Sequence, residues 1–192
     1  MTTVVGIQGD AFALIACDSR LSAYDSSGIP YLVTTAGGDT SKVASVGKYL
    51  IGAAGDVRAI NILHYAFVPP TPKPNQKGKS LNQFITTTFI PALRECFNSH
   101  GYSHNESNNT EILIAVNGFI YNIDNDFSWA TSTSNTYSIG TGSTYALGAL
   151  QSMTTKNKPT VQQAKRNAIK ALQVAAKLDP FTGAPFQTFI QE

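Results

Sequence analysis

Two short apolar segments, TTVVGIQ at residues 2–8 and FALIACD at residues 12–18, flank Gly9-Asp10 at the start of the chain. Both are rich in β-formers, and a Gly-Asp between two such runs marks a β-hairpin. A two-residue turn at 9–10 pairs residue 8 with residue 11 and brings Asp18 opposite residue 1. A three-residue turn at 9–11 pairs 8 with 12 and sets Asp18 opposite Thr2. Either register puts a carboxylate within one residue of a threonine close to the chain terminus. Once Met1 is removed, as a small second residue usually permits, Thr2 carries a hydroxyl and a free α-amine. A threonine hydroxyl alone is a poor nucleophile, but an α-amine with a pKa of about 7.7–8.0 is a base that can activate it at neutral pH. The plainer reading is a polar strand start and a D-S-R strand end, and these twenty residues alone favour it.

The remaining composition narrows the class. With 192 residues, 42% hydrophobic and 14% charged, the chain suits one domain with a sizeable core, taken as residues 2–192; two small domains are the alternative. A net charge of +2 with scattered basic residues speaks against nucleic acid or a membrane surface as partner. No apolar run approaches the roughly 20 residues of a spanning helix, and the N-terminus lacks the pattern of a secretory signal. Cys17 in a strand and Cys96 in a helix read as buried free thiols of a reducing compartment, with one disulfide as the alternative. The expected location is the cytoplasm.

Residues 21–41, dense in Ser, Thr, Gly and Asp, read as a loop with a short strand at IPYLVTT. SKVASV, Gly47-Lys48 and YLIGAAG then repeat the hairpin pattern, and pairing Val46 with Tyr49 sets Lys42 opposite Ala53, close to Gly55. DVRAINILHYAF carries a helical stripe of Val57, Ile60, Ile62, Leu63 and Phe67, with Asp56 in the first turn. Gly55 thus lies where a strand hands over to a helix N-terminus, and its N–H suits a developing negative charge. A glycine needed only for a tight turn fits that position as well.

Residues 68–80 form a proline-rich connector whose closing GKS is no phosphate loop, because Lys73 stands where the motif requires glycine. Residues 81–99 read as a second helix bent near Pro91. His100 and His104 lack a helix and a third ligand, so no metal site is expected there. EILIAV and FIYNID are strands joined at Asn117-Gly118, with further strands at Phe127–Ala130 and Thr136–Ile139. GTGSTYALGALQSM turns into a helix, but Gly148 misplaces the third glycine of a dinucleotide fingerprint and no βαβ unit surrounds it. TVQQAKRNAIKALQVAAKL, from Thr160, is a helix with Val161, Ala164, Ala168, Leu172 and Ala175 on one side, and FTGAPFQTFIQE closes with a strand. Strands and helices come in runs, so the class is α+β. A four-layer αββα sandwich of two antiparallel sheets flanked by helix pairs would bury every apolar face.

In this order the pieces resemble the proteasome β-type and HslV-type threonine peptidases of the N-terminal-nucleophile hydrolase superfamily, nearly end to end. Thr2 falls on the family's N-terminal threonine, Asp18-Ser19-Arg20 on its D-S-R or D-R-R segment and Lys42-Val43 on its K-V pair. GAAGD places Gly55 on its oxyanion-hole glycine. YSIGTGSTYALGAL (137–150) resembles A-I-G-S-G-S-x-Y-A-x-G-x-L with Thr141 for serine, and Asp179-Pro-Phe-Thr182-Gly183 resembles D-x-x-S-G with Thr182 for serine. Each match is weak alone, and six in order are strong together. The long 21–41 loop, the short first helix and the proline connector depart from the pattern.

The resemblance implies a threonine endopeptidase acting on unfolded polypeptides. Thr2 is then the nucleophile, with its amine as base. Lys42 and Asp18 form the charged pair, Gly55 is the oxyanion donor, and Thr141, Asp179 and Thr182 support the amine. It places Arg20, Leu21, Ala44, Ala53 and Val57 at the substrate pocket. The last four are apolar and mostly small, so a bulky uncharged residue is expected before the scissile bond. The resemblance further implies homo-oligomeric stacked rings fed by an unfoldase ATPase, and no cofactor or metal. A non-catalytic ring subunit and an amidase acting on a small amide are the other readings.

Overall fold

The computed structural model describes residues 2–35, 41–102, 110–154 and 158–191. The chain begins with β1 (Thr3–Gln8) and β2 (Ala13–Cys17), then β3 (Arg20–Tyr24), β4 (Pro30–Thr35), β5 (Val43–Val46) and β6 (Tyr49–Ala54). α1 (Val57–Tyr65) is followed by α2 (Gly78–Phe84), a π-helical turn over Ile85–Phe89, and α3 (Ile90–Ser99). β7 (Glu111–Val116), β8 (Phe119–Ile123), β9 (Trp129–Ala130) and β10 (Thr136–Gly140) come next. α4 (Ser143–Met153), α5 (Val161–Leu178) and β11 (Gln187–Gln191) complete the chain.

The first hairpin explains the layering. Successive strand side chains point to opposite faces. Val4, Ala13, Ile15 and Cys17 enter one core, while Val5, Ile7, Leu14 and Ala16 enter another. A strand pair apolar on both faces must be covered on both. β1 and β2 occupy the middle of an antiparallel sheet ordered β10-β1-β2-β11. One face packs on Ala146 and Leu150 of α4 and on Ala164, Ala168, Leu172 and Ala175 of α5, whose small side chains let the helix lie close. The other meets Val43, Leu50, Leu113, Ala115 and Ile120 from the second sheet, ordered β5-β6-β7-β8-β9. That sheet turns Tyr49, Ile51, Ala53, Ile112 and Ile114 to α1 and the 78–99 helix. The four layers are helices, sheet, sheet, helices, as the apolar pattern requires.

Three details depart from the sequence reading. The first hairpin has a four-residue turn, because Gln8 pairs with Ala13 and Gly9 N–H donates to Phe12 C=O at 2.9 Å. The Phe12 ring folds back over Gly9 and is buried against the helix layer, so Phe12 belongs to the turn. The register therefore sets Asp18 opposite Thr3, with Asp18 N–H donating to Thr3 C=O at 3.1 Å, rather than opposite Thr2 or residue 1. Secondly, the short strand expected at IPYLVTT is β4, and it pairs with β3, a segment read as loop, in a separate two-stranded sheet. Thirdly, the bend expected at Pro91 is accommodated by the π turn, in which Ile90 N–H bonds to Ile85 C=O. Pro91 has no N–H, and its ring would press on the carbonyl four residues back. Widening the preceding turn also keeps Leu81, Ile85, Phe89, Leu93 and Phe97 on one buried face. In a straight α-helix a four-residue repeat drifts by about 40° per step.

Cys17 is buried between the sheets and Cys96 lies partly exposed on α3, and both are free thiols, which rules out the disulfide alternative. Among the described residues no helix is long and apolar enough to cross a membrane. His100 sits at the C-terminal cap of α3, and His104 lies outside the described residues.

Candidate active site

The start of β1, the end of β2, the start of β5, the end of β6, the β10–α4 junction and the end of α5 meet at one edge of the sandwich. Antiparallel pairing puts them there: β1 runs against both β2 and β10, and β5 against β6. Segments far apart in sequence thereby deliver Asp18, Lys42 and Asp179 to one region.

The Asp18 carboxylate is wholly buried and accepts four bonds. Thr3 N–H (2.9 Å) and Lys42 Nζ (2.7 Å) donate to Oδ1, and Arg20 N–H and Gly183 N–H (3.0 Å each) donate to Oδ2. Lys42, only 2% exposed, also donates to Arg20 C=O at 2.7 Å. Burial pulls the Lys42 ammonium below the usual lysine range, and the adjoining Asp18 carboxylate opposes that shift.

A second cluster stands on Asp179, at the C-terminal end of α5. Its Oδ2 accepts from Thr141 Oγ1 (2.8 Å) and Thr182 Oγ1 (2.6 Å), and its Oδ1 from Phe181 N–H (3.1 Å). Thr182 spends its proton on Asp179, so the 2.6 Å contact between Thr3 Oγ1 and Thr182 Oγ1 is donated by Thr3. Thr3 therefore joins both clusters, its backbone to Asp18 and its hydroxyl to Thr182. The sequence reading did not single it out, although its place directly after Thr2 is the signal that could have.

Two glycines hold this junction tight. A Cβ on Gly140, whose φ is +90°, would lie 2.0 Å from the Thr2 carbonyl oxygen. One on Gly142 would lie 2.2 Å from Thr3 Oγ1. Gly140 N–H donates to Glu111 at 2.8 Å, which ties the junction to the second sheet.

Thr2 opens on a cavity of about 180 Å³ whose lining includes Leu21, Lys42, Gly55, Val57 and His64. Gly55, with φ +119°, passes β6 into α1, whose N-terminus is capped by Asp56 accepting from Arg58 N–H at 2.8 Å. Of the residues expected at the pocket, Leu21 and Val57 reach the cavity. Ala53 is fully buried in the core beneath α1, and Ala44 is half-buried on the edge strand β5; neither lines it. Arg20 turns away, because its guanidinium donates to Pro180 C=O and packs against Gly183.

No protein-family model matches the sequence, and no curated protein matches it. Solved structures do match in fold. Thiobacillus denitrificans BPH in complex with epoxomicin is 21% identical, with 99% of this chain and 98% of that chain covered and a TM-score of 0.74. A second structure of Thiobacillus denitrificans BPH gives 20% identity, 99% and 97% coverage and a TM-score of 0.69. Eukaryotic HslV from Trypanosoma brucei gives 15% identity, 98% coverage of both chains and a TM-score of 0.65. The chain thus shares its fold, end to end, with the BPH and HslV structures.

Proposed function

We propose that this chain is a threonine endopeptidase cutting peptide bonds in unfolded polypeptides, with Thr2 as nucleophile and, after removal of Met1, its own α-amine as base. One observation carries the reading: a buried Asp18–Lys42 pair lies beside a cavity that also has Thr2 and Gly55 in its wall. In this reaction the amine takes the Thr2 hydroxyl proton while Oγ attacks the scissile carbonyl, whose π electrons move onto its oxygen. The Gly55 N–H stabilises that oxyanion; deleting such a donor typically costs about 2.7–4 kcal/mol. Collapse breaks the C–N bond, the leaving amine takes the proton, and an ester remains on Thr2. Water, deprotonated by the same amine, then hydrolyses the ester.

Lys42, kept charged by Asp18, favours the alkoxide and lowers the pKa of the amine toward neutrality. Thr141, Asp179 and Thr182, reached through Thr3, hold the chain end in place. The step needs no cofactor. The reading extends to homo-oligomeric stacked rings in the cytoplasm with the sites facing inward and an unfoldase ATPase as partner, since confinement makes an unselective peptidase tolerable.

Intact-mass measurement before and after epoxomicin treatment tests it. The expected result is loss of one methionine, one adduct per chain, and loss of both adduct and peptide cleavage in Thr2→Ala. A chain that keeps Met1 and cleaves peptides at full rate refutes the mechanism. A processed chain that neither cleaves nor reacts is a non-catalytic ring subunit, and one that hydrolyses only a small amide is an amidase.

A further inference from the structure

The cavity beside Thr2 carries side chains for which the reaction itself has no use. At about 180 Å³ it is below the roughly 300–1,000 Å³ of pockets that hold whole small molecules, so it suits a single side chain of a longer substrate. Leu21, Val57 and Ile60 make part of its wall apolar, and His64 and Tyr65 close it from the C-terminal turns of α1.

His64 is half-buried, with Nε2 3.2 Å from the Ile51 carbonyl oxygen of β6. A carbonyl can only accept, so the ring proton sits on Nε2 and Nδ1 is the nitrogen left to gain one. Among the described residues, the titratable and charged groups at the cavity besides His64 are Tyr65, Lys42 and, after removal of Met1, the Thr2 α-amine, which must be uncharged in the reacting enzyme. Tyr65 lies beside it on α1, ring centroids 6.4 Å apart, and Lys42 lies across the cavity with its ammonium on Asp18 and Arg20 C=O. No carboxylate lines the cavity among the described residues.

We infer that His64 determines specificity at this cavity: uncharged, it favours a bulky apolar side chain before the scissile bond, and protonated, it admits an acidic one. The inference rests on the peptidase reading. Burial pushes His64 below the ordinary histidine range, and its bond to Ile51 opposes that only in part, so the uncharged form prevails at neutral pH. Protonation then places a positive charge in a cavity that no carboxylate lines among the described residues, and an ionised glutamate on the substrate supplies one.

The test uses processed full-length protein and two fluorogenic peptides differing only in leucine or glutamate before the cleaved bond, with kcat/KM measured at pH 7.5 and 5.5. Glutamate, with a reference pKa of about 4.3, stays ionised across that window. The glutamate-to-leucine ratio should rise about tenfold on acidification in the wild type and stay flat in both His64→Gln and His64→Leu, a tenfold preference corresponding to about 1.4 kcal/mol of extra attraction between the protonated ring and glutamate. A ratio within one preparation is independent of its active fraction, so a partly folded variant still reads. A flat ratio in the wild type, or an equally steep one in the variants, overturns the inference and leaves the peptidase reading intact. Processed protein that cleaves neither peptide overturns both.

Discussion

Replacing Asp18 with asparagine is the most direct test of the charged pair. Four donors point at the carboxylate: two at Oδ1, from Thr3 and Lys42, and two at Oδ2, from Arg20 and Gly183. An amide can offer an acceptor to one side only, so either orientation of the new side chain sets an NH2 group against two donors. The substitution also strands the Lys42 ammonium at 2% exposure. Breaking a buried pair by removing one partner costs about 3–5 kcal/mol. For a chain of this size each kcal/mol lowers Tm by about 2–4 °C, so Asp18→Asn should melt roughly 6–20 °C below wild type. Lys42→Met should cost less, because three backbone N–H groups still satisfy Asp18. The double variant Asp18→Asn/Lys42→Met should melt above Asp18→Asn alone, since the stranded charge is gone. Thermal denaturation by circular dichroism reads all three. An Asp18→Asn protein melting within about 2 °C of wild type (below about 1 kcal/mol at that scaling), or a double variant showing the sum of the single losses, would refute the argument.

Other outcomes follow from the same geometry. Thr182→Val keeps the shape but leaves Thr3 Oγ1 and Asp179 each short of a partner, so it should cost about 1–3 kcal/mol in denaturant titration, with Thr182→Ser restoring most of it. Gly140→Ala forces a Cβ onto the Thr2 carbonyl and should abolish epoxomicin labelling in whatever protein folds; full labelling would show that the strand start can move. Burial raises the Cys17 thiol to about 11, so between its unfolded value and that figure the unfolded chain holds fewer protons and stability falls as pH rises. At pH 8 iodoacetamide should modify one thiol of the native protein, Cys96, and both in denaturant. Thr160→Ala removes the cap that accepts from Gln163 N–H and should cost about 1 kcal/mol.

The layers were readable because apolar runs and helical stripes report burial directly. β1 and β2 announced themselves by having no polar face, and Asn117-Gly118 by joining β7 to β8 as Val116 paired with Phe119. Turn geometry was harder. Phe12 looks like a strand residue, and nothing in the letters says that its ring folds back over Gly9, yet that contact moves Asp18 from Thr2 to Thr3. The strand read at IPYLVTT is β4, but its partner β3 was missed because it stands outside both main sheets and lacks alternation. The signal on offer was Asp25-Ser-Ser-Gly28, where Asp25 Oδ1 accepts from Ser27 and Ile29 N–H at 2.9 Å each and turns one strand into the other. At the site, motif positions located the charged pair and the Asp179 cluster. They placed Ala53 and Arg20 at a cavity that one underlies and the other turns from, because side-chain direction depends on packing that residue identity alone does not carry.

The two grips on the N-terminal segment close on its third residue, not its second. Cutting the chain ahead of Thr2 would therefore leave both of these fastenings whole, since the post they hold stands one peptide unit further in.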